Sequence, residues 1–224
     1  MPHPVKITDE IYQIGGGGLS SPGDAAVYLI AYPSHSAVVD AGCGGGIEKI
    51  INNIKECGVE PKDIEYLLIT HCHYDHTGGA QELKDETGCK IVAHELDAHF
   101  LENGDDTVTA ARWYGSTIEP LQVDIKITQT KGTFFLGQRE IVAIHTPGHS
   151  PGSVVYLTES KSKKILFGQD VHGPLDRTLF SDKNAYQESL DLLISLDADI
   201  LCEGHYGIIK GKEEIRDFIS SFKV

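Results

Sequence analysis

The order of apolar and polar positions predicts an alternation of strands and helices. VKITDEIYQI, AVYLIAY and SAVVDAG mix β-branched and polar residues between turn formers, which predicts strands. GGGGLSSPGD, residues 15–24, separates two of them as a flexible loop. The period then changes. In IEKIINNIKEC the apolar positions are 47, 50, 51 and 54, one face of a helix that Gly58 stops. EYLLIT, residues 65–70, predicts a buried strand. A helix near 78–87, the strand KIVA and a helical stretch near 94–102 follow. DDTVTAARWYG predicts a short capped helix carrying Trp113 and Tyr114.

Strands return with GTFFLG, EIVAIHT, SVVYLTES and KKILFGQD. The helix AYQESLDLLISL, the strand ADILCEG ending near His205, and the helix KEEIRDFISSF close the chain. Each half has strands and helices of its own. Two sheets stacked face to face, with helices outside, would bury both apolar sets. No linker or low-complexity tract divides residues 1–224, so one domain is expected.

Composition narrows the function. The 224 residues carry a net charge of −14, and the basic residues are scattered, which argues against nucleic acid as a partner. No apolar run is long enough to span a membrane. The start, MPHPVKITDE, lacks a secretory pattern, so a cytoplasmic location is expected. Five cysteines without a CxxC spacing predict reduced thiols rather than a disulfide framework. A small-molecule substrate is the expected partner, and a homodimer is compatible with the sequence.

Histidine changes the picture most. There are 11, and seven of them (His71, His73, His76, His145, His149, His172 and His205) stand just after apolar segments. THCHYDHTGGA packs His71, His73, Asp75 and His76 into one strand-to-helix turn. Imidazole and carboxylate are good ligands for zinc, iron and manganese. Such a turn would project His71 and His73 one way, and Asp75 and His76 another. Cys72 and Tyr74 alternate with them and are expected to face elsewhere. Distant segments could complete two half-sites: His149 in HTPGHSPGS, Asp170 in ILFGQD and His205 in LCEGH. Gly148 and Gly152 would allow the turn that presents His149.

These segments, with VVDAG around Asp40, resemble the metallo-β-lactamase superfamily of hydrolases, nearest its glyoxalase II-like branch. The resemblance covers nearly the whole chain. It implies an α/β fold, a four-layer αββα sandwich of two stacked mixed sheets with helices on both outer faces. It also implies two divalent metal ions, zinc first, with iron or manganese as alternatives. Carried over by position, His71, His73 and His149 bind one ion and Asp75, His76 and His205 the other, with Asp170 bridging. A hydroxide shared by the two ions would then attack a carbonyl or phosphoryl centre. Asp75 could accept a hydrogen bond from that nucleophile, which would give it a catalytic role. Asp40 either supports the site from behind, through hydrogen bonds to nearby loops, or merely caps a strand end.

The expected reaction is hydrolysis of a small ester, thioester or lactone. Loop 15–24 and the Trp113/Tyr114 stretch would cover the substrate. His172 and Tyr206 either reach the substrate or serve as loop and packing residues. His35, His94, His99 and His145 have no ligand partners in the pattern. Glyoxalase II enzymes typically carry an added C-terminal helical region for glutathione. Here about 19 residues follow His205, which weakens that particular substrate. The alternatives are a mononuclear iron dioxygenase of the persulfide type, using His71, His149 and Asp170, a phosphodiester hydrolase, and a binding or redox module without flavin or iron–sulfur signatures.

Overall fold

The computed structural model describes residues 3–168 and 170–223. Gln169, in the predicted ILFGQD segment, lies outside the described residues. The elements run β1 (Val5–Lys6), β2 (Ile11–Gly15), β3 (Val27–Tyr32), β4 (His35–Val39), α1 (Ile47–Glu56), β5 (Ile64–Leu68), α2 (Tyr74–Thr77), α3 (Ala80–Thr87), β6 (Lys90–His94), α4 (Glu95–Asn103) and β7 (Ile125–Ile127). The second half runs β8 (Lys131–Leu136), β9 (Arg139–His145), β10 (Val154–Ser160), β11 (Lys163–Phe167), α5 (Lys183–Ser195), β12 (Ile200–Cys202), β13 (Ile208–Lys210) and α6 (Lys212–Ser220). The strands form a seven-stranded sheet, β1 to β7 in chain order, and a six-stranded sheet in the order β13-β12-β11-β10-β9-β8. Both are mixed, as expected.

Successive residues of a strand face opposite sides of its sheet, and this period of two assigns every core residue to a layer. Val27 and Leu29 of β3 pack with Ile47, Ile50, Ile51 and Ile54 of α1 on one outer face. Their neighbours Tyr28, Ile30 and Tyr32 point the other way and meet Val154, Tyr156, Ile165 and Phe167 of the second sheet. Val155 and Leu166 face outward again, onto Tyr186, Leu190 and Leu193 of α5 and Ile215 and Ile219 of α6. Helices, sheet, sheet and helices thus make the four-layer sandwich. Each fully buried aliphatic side chain contributes about 1.5–3 kcal/mol, so the layers are held without any polar centre.

Two local expectations change, and two strands appear where none was expected. VKITDEIYQI is an antiparallel pair, β1 and β2, rather than one strand. DDTVTAARWYG is not a regular helix: the Asp105 carboxylate accepts from Thr107 and Val108 N–H, and Ala110 at φ +58 breaks the path. Only a single 3-10 turn forms, over Ala111–Tyr114. The β-branched run Thr107–Val108–Thr109 has little helical preference to oppose this. Finally, β7 and β13 are short strands whose pairing partners, not their own pattern, define them. Among the described residues no helix is long and apolar enough to cross a membrane.

Candidate metal centre

Strand direction explains why seven distant residues meet. β4, β5 and β6 are mutually parallel. In the other sheet, β9 and β11 are each antiparallel to β10, and β12 is parallel to β11, so β9, β11 and β12 share one direction. The loops leaving these strands carry Asp40 after β4, His71 to His76 after β5, His149 after β9, Asp170 after β11 and His205 after β12. The two sheets are joined at this edge by backbone bonds, Val154 N–H to Thr70 O at 2.8 Å and Ala26 N–H to Gly204 O at 2.8 Å. Strand-end loops on a rigid scaffold are where chemistry is most readily positioned.

Three groups of ligand-type side chains converge: His71, His73 and His149; Asp75, His76, Asp170 and His205; and Asp170, His172 and Glu203, which shares Asp170 with the second; the first two are the predicted sets. In the first, His71 Nε2 lies 3.0 Å from His73 Nδ1 and 3.2 Å from His149 Nε2. The far side of each ring fixes its tautomer. His149 Nδ1 faces the Pro174 carbonyl at 2.9 Å, which can only accept, so that nitrogen carries the hydrogen. The Thr70 hydroxyl donates to Asp40 and so accepts from His71 Nδ1 at 3.1 Å. Lone pairs of His71 and His149 therefore point at each other across a buried space. Burial holds all three imidazoles below their ordinary pKa, His71 and His73 far below it, so they are neutral donors.

The second set is charged. His205 Nε2 lies 3.1 Å from Asp75 Oδ2 and 3.3 Å from Asp170 Oδ2, and His76 Nε2 lies 3.2 Å from Asp170 Oδ1. Asp170 Oδ2 is also 3.7 Å from His149 Nε2, so this carboxylate borders both sets. Burial opposes charge here, yet Asp170, Asp75 and Asp40 hold His76 well above its ordinary value. Against its own burial, His205 is pushed up to about 10 by the hydrogen bonds it donates to Asp170 and Asp75. The surroundings favour a cation, and without another one a proton fills the role.

The arrangement fits a metal ion. Buried His73 Nε2 has no hydrogen-bond partner, and buried His76 Nε2 and Asp170 Oδ1, 3.2 Å apart, make no well-aligned hydrogen bond. Tetrahedral zinc at about 2.0–2.1 Å from nitrogen separates its ligands by about 3.3 Å, close to the His71–His73 and His71–His149 separations. Gly204 keeps the second set open, because a Cβ there would lie 2.4 Å from Asp170 Oδ1 and 3.1 Å from His76 Cε1.

Asp40, by sequence either a support of the site or a strand-end cap, hydrogen-bonds to the loop after β5. Its carboxylate accepts from Thr70 N–H and Thr70 Oγ1, both at 2.8 Å, and faces His76 Nδ1 at 2.8 Å. This leaves His76 Nε2 for the centre. Gly148, at φ +132, makes the turn that delivers His149, and a Cβ there would strike the backbone of Tyr186. Cys72 is buried in the helix-side core with its thiol near Val108 O. His35 pairs with Glu65, His99 with Asn103, and His94 stacks on His145; none belongs to either set.

Around the centre, Tyr114 lies beside Asp75, and burial and that carboxylate raise its hydroxyl pKa. Trp113, Phe180 and Tyr206 are large exposed side chains on adjoining loops. His172 faces Glu203 at 2.9 Å and packs edge-on to His205 and tilted to Tyr206. Residues Gly16, Gly17, Pro22 and Asp24 of loop 15–24 line a 220 Å³ cavity with His205.

Two buried carboxylates escaped sequence reasoning. Glu203, with 0% exposure, accepts from Val171 N–H at 3.1 Å through one oxygen, and from His205 and Tyr206 N–H at 2.6 and 2.7 Å through the other. It fastens the Asp170 loop to the His205 loop. Asp97 plays a comparable structural part between Cys72, Ser150 and Gly152. A carboxylate directly after the apolar run ILC, two residues before His205, was the available signal for Glu203.

A family model described as the metallo-beta-lactamase superfamily matches residues 21–205. The chain is 28% identical over 150 residues to the probable metallo-hydrolase MJ0888 of Methanocaldococcus jannaschii, covering 67% of this chain and 68% of that one. It is 29% identical over 196 residues to the hydroxyacylglutathione hydrolase GloC of Haemophilus influenzae, covering 84% and 88%. The class B3 di-zinc metallo-β-lactamase LRA-12, from an Alaskan soil metagenome, superposes with a TM-score of 0.77 at 29% identity, covering 91% of this chain and 78% of that one.

Proposed function

The chain belongs to the metallo-β-lactamase superfamily of metal-dependent hydrolases, and from that premise we propose that it is a binuclear hydrolase of small esters, thioesters or lactones. The observation that carries this reading is the place of Asp170. One buried carboxylate reaches both the three-histidine set and the Asp75/His76/His205 set, which is what a ligand shared by two ions requires. When bound, the two divalent ions would supply Lewis acidity and activate water near neutral pH.

The chain's own residues do the rest. His71, His73 and His149 hold one ion, Asp75, His76 and His205 the other. Asp75, on the face that Tyr114 overhangs, accepts a proton or hydrogen bond during bond cleavage. The Tyr114 hydroxyl stays protonated and donates to the substrate oxygen. Trp113, Phe180 and Tyr206 offer apolar surface to the acyl part of the substrate, and loop 15–24 closes the side lined with His205. The net charge of −14 disfavours a polyanionic phosphodiester. A thioester gains weight because the aligned region spans 88% of the hydroxyacylglutathione hydrolase GloC, so an extended C-terminal platform is not needed for such an activity in a relative.

Metal analysis of protein purified without added metal, joined to a panel of thioesters, lactones and phosphodiesters, tests the proposal. Two ions per chain and turnover of an acyl substrate are expected. One iron with oxygen consumption would replace it with the dioxygenase.

A further inference from the structure

Asp97 stands in the first turn of α4 and is 1% exposed. It belongs to neither ligand set. Its Oδ2 accepts from Cys72 N–H at 2.8 Å and from the Ser150 hydroxyl at 2.6 Å; its Oδ1 accepts from Gly152 N–H at 2.6 Å. Cys72 lies between His71 and His73, and Ser150 directly follows His149. A single carboxylate therefore clamps the loop of the first sheet that carries two of the histidines to the loop of the second sheet that carries the third.

The clamp is tight. A Cβ at Gly152 would lie 2.5 Å from Asp97 N and 2.7 Å from its Cγ, so the turn approaches as closely as glycine permits. Ser150 is held again by Ser153, at 2.8 Å between hydroxyl oxygens and 3.0 Å from its N–H. Neutral histidines offer one another no charge attraction, only N–H···N contacts such as His73 Nδ1 to His71 Nε2 at 3.0 Å. Something other than charge must keep three rings from different loops converged, and Asp97 is the group placed to do so.

We propose that Asp97 is the positioning residue of the three-histidine set, fixing His71, His73 and His149 in binding geometry through the backbone on either side of them. This rests on the reading that the set holds an ion. Outer partners of metal ligands typically alter affinity by about 10–100-fold.

The test uses Asp97→Asn, which keeps the shape but sets an amide N–H₂ against N–H or O–H donors. Ser150→Ala, which removes one of the three donors, is the milder companion. Zinc affinity of the metal-stripped, folded chains is measured against a chromophoric chelator, and the absorption spectrum of the cobalt(II)-loaded chains is recorded. Asp97→Asn is expected to weaken one bound ion by about 10–100-fold and to alter the cobalt spectrum. Ser150→Ala should shift the same ion in the same direction by less. Unchanged affinity in Asp97→Asn, or in Ser150→Ala should the former fail to fold, overturns the proposal while leaving the metal centre intact. A wild-type chain that takes up no ion overturns the metal-centre reading and this proposal with it.

Discussion

The two ligand sets solve one problem in opposite ways. His71, His73 and His149 are buried, uncharged and aimed by the Thr70 hydroxyl and the Pro174 carbonyl. Asp75, His76, Asp170 and His205 bring two carboxylates, and the His205 side chain is 32% exposed. The first set offers a cation prepared lone pairs in a dry cage, the second offers it negative charge beside solvent. Protons compete accordingly. Burial keeps them off the three histidines, whereas the carboxylates draw them onto His76 and His205. An ion bound to the second set would therefore have to displace protons, and that set is the one whose His205 side chain meets solvent.

Asp170 borders both sets, so changing it should have the largest effect. Asp170→Ala is expected to lower activity by more than the about 10–100-fold typical of an outer partner, and to cost most metal occupancy. The apo fold should survive, since the sandwich layers are apolar. Metal content and thermal unfolding of the stripped protein check both halves; full activity with two ions would break the shared-ligand reading.

Single-set variants sharpen the contrast. His73→Ala should remove the ion of the buried set. His205→Ala should leave that ion in place and weaken the other by a smaller factor, because Asp75, His76 and Asp170 remain. Titration with a graded chelator series separates the two. Equal loss of both ions in both variants would mean that the sets do not act separately.

How far the sequence revealed this centre follows from the kind of group involved. His71, His73, Asp75, His76, His149, Asp170 and His205 were legible because each is a ligand type placed where an apolar strand ends. The sandwich was legible because alternate strand residues had to serve alternate layers. Asp97 was hidden because it bonds to backbone N–H groups of loops distant in sequence, which nothing in HELDAH announces, and Glu203 because its bond to Val171 N–H, 32 residues away, ties its own turn to the Asp170 loop. The Asp105–Tyr114 segment was misread for a related reason. Its path depends on a carboxylate satisfying its own backbone, which competes with helix. β7 and β13 exist through their neighbours.

Glu203 offers a subtler comparison, since it braces the charged set through the backbone N–H groups of Val171, His205 and Tyr206. Glu203→Gln places an amide against two N–H donors on whichever side it faces. A loss of about tenfold in activity and about 1–3 kcal/mol in stability is expected, read from initial rates and denaturant unfolding. If stability falls while the affinity of both ions stays fixed, Glu203 serves the fold alone.

The smallest effect concerns acid sensitivity near the buried set. His94, in contact with α4 through Leu96 N–H and stacked at 3.9 Å on His145, is pushed down to about 4 by burial and by that neighbour. His145 Nε2 faces the Pro151 carbonyl, on the loop that carries His149. Between about pH 6.5 and 4 the unfolded chain takes a proton at His94 that the folded chain refuses, so stability falls as pH is lowered through this window and is unaffected by His94 above it. His94→Asn keeps a cap for α4 and removes this titration. Comparing apo wild type and variant at pH 7 and pH 5, the wild type should lose on the order of 2–4 °C more in melting temperature. An identical pH dependence would show that His94 accommodates its proton in the folded state, and that the wall behind the three-histidine set is less dry than its burial implies.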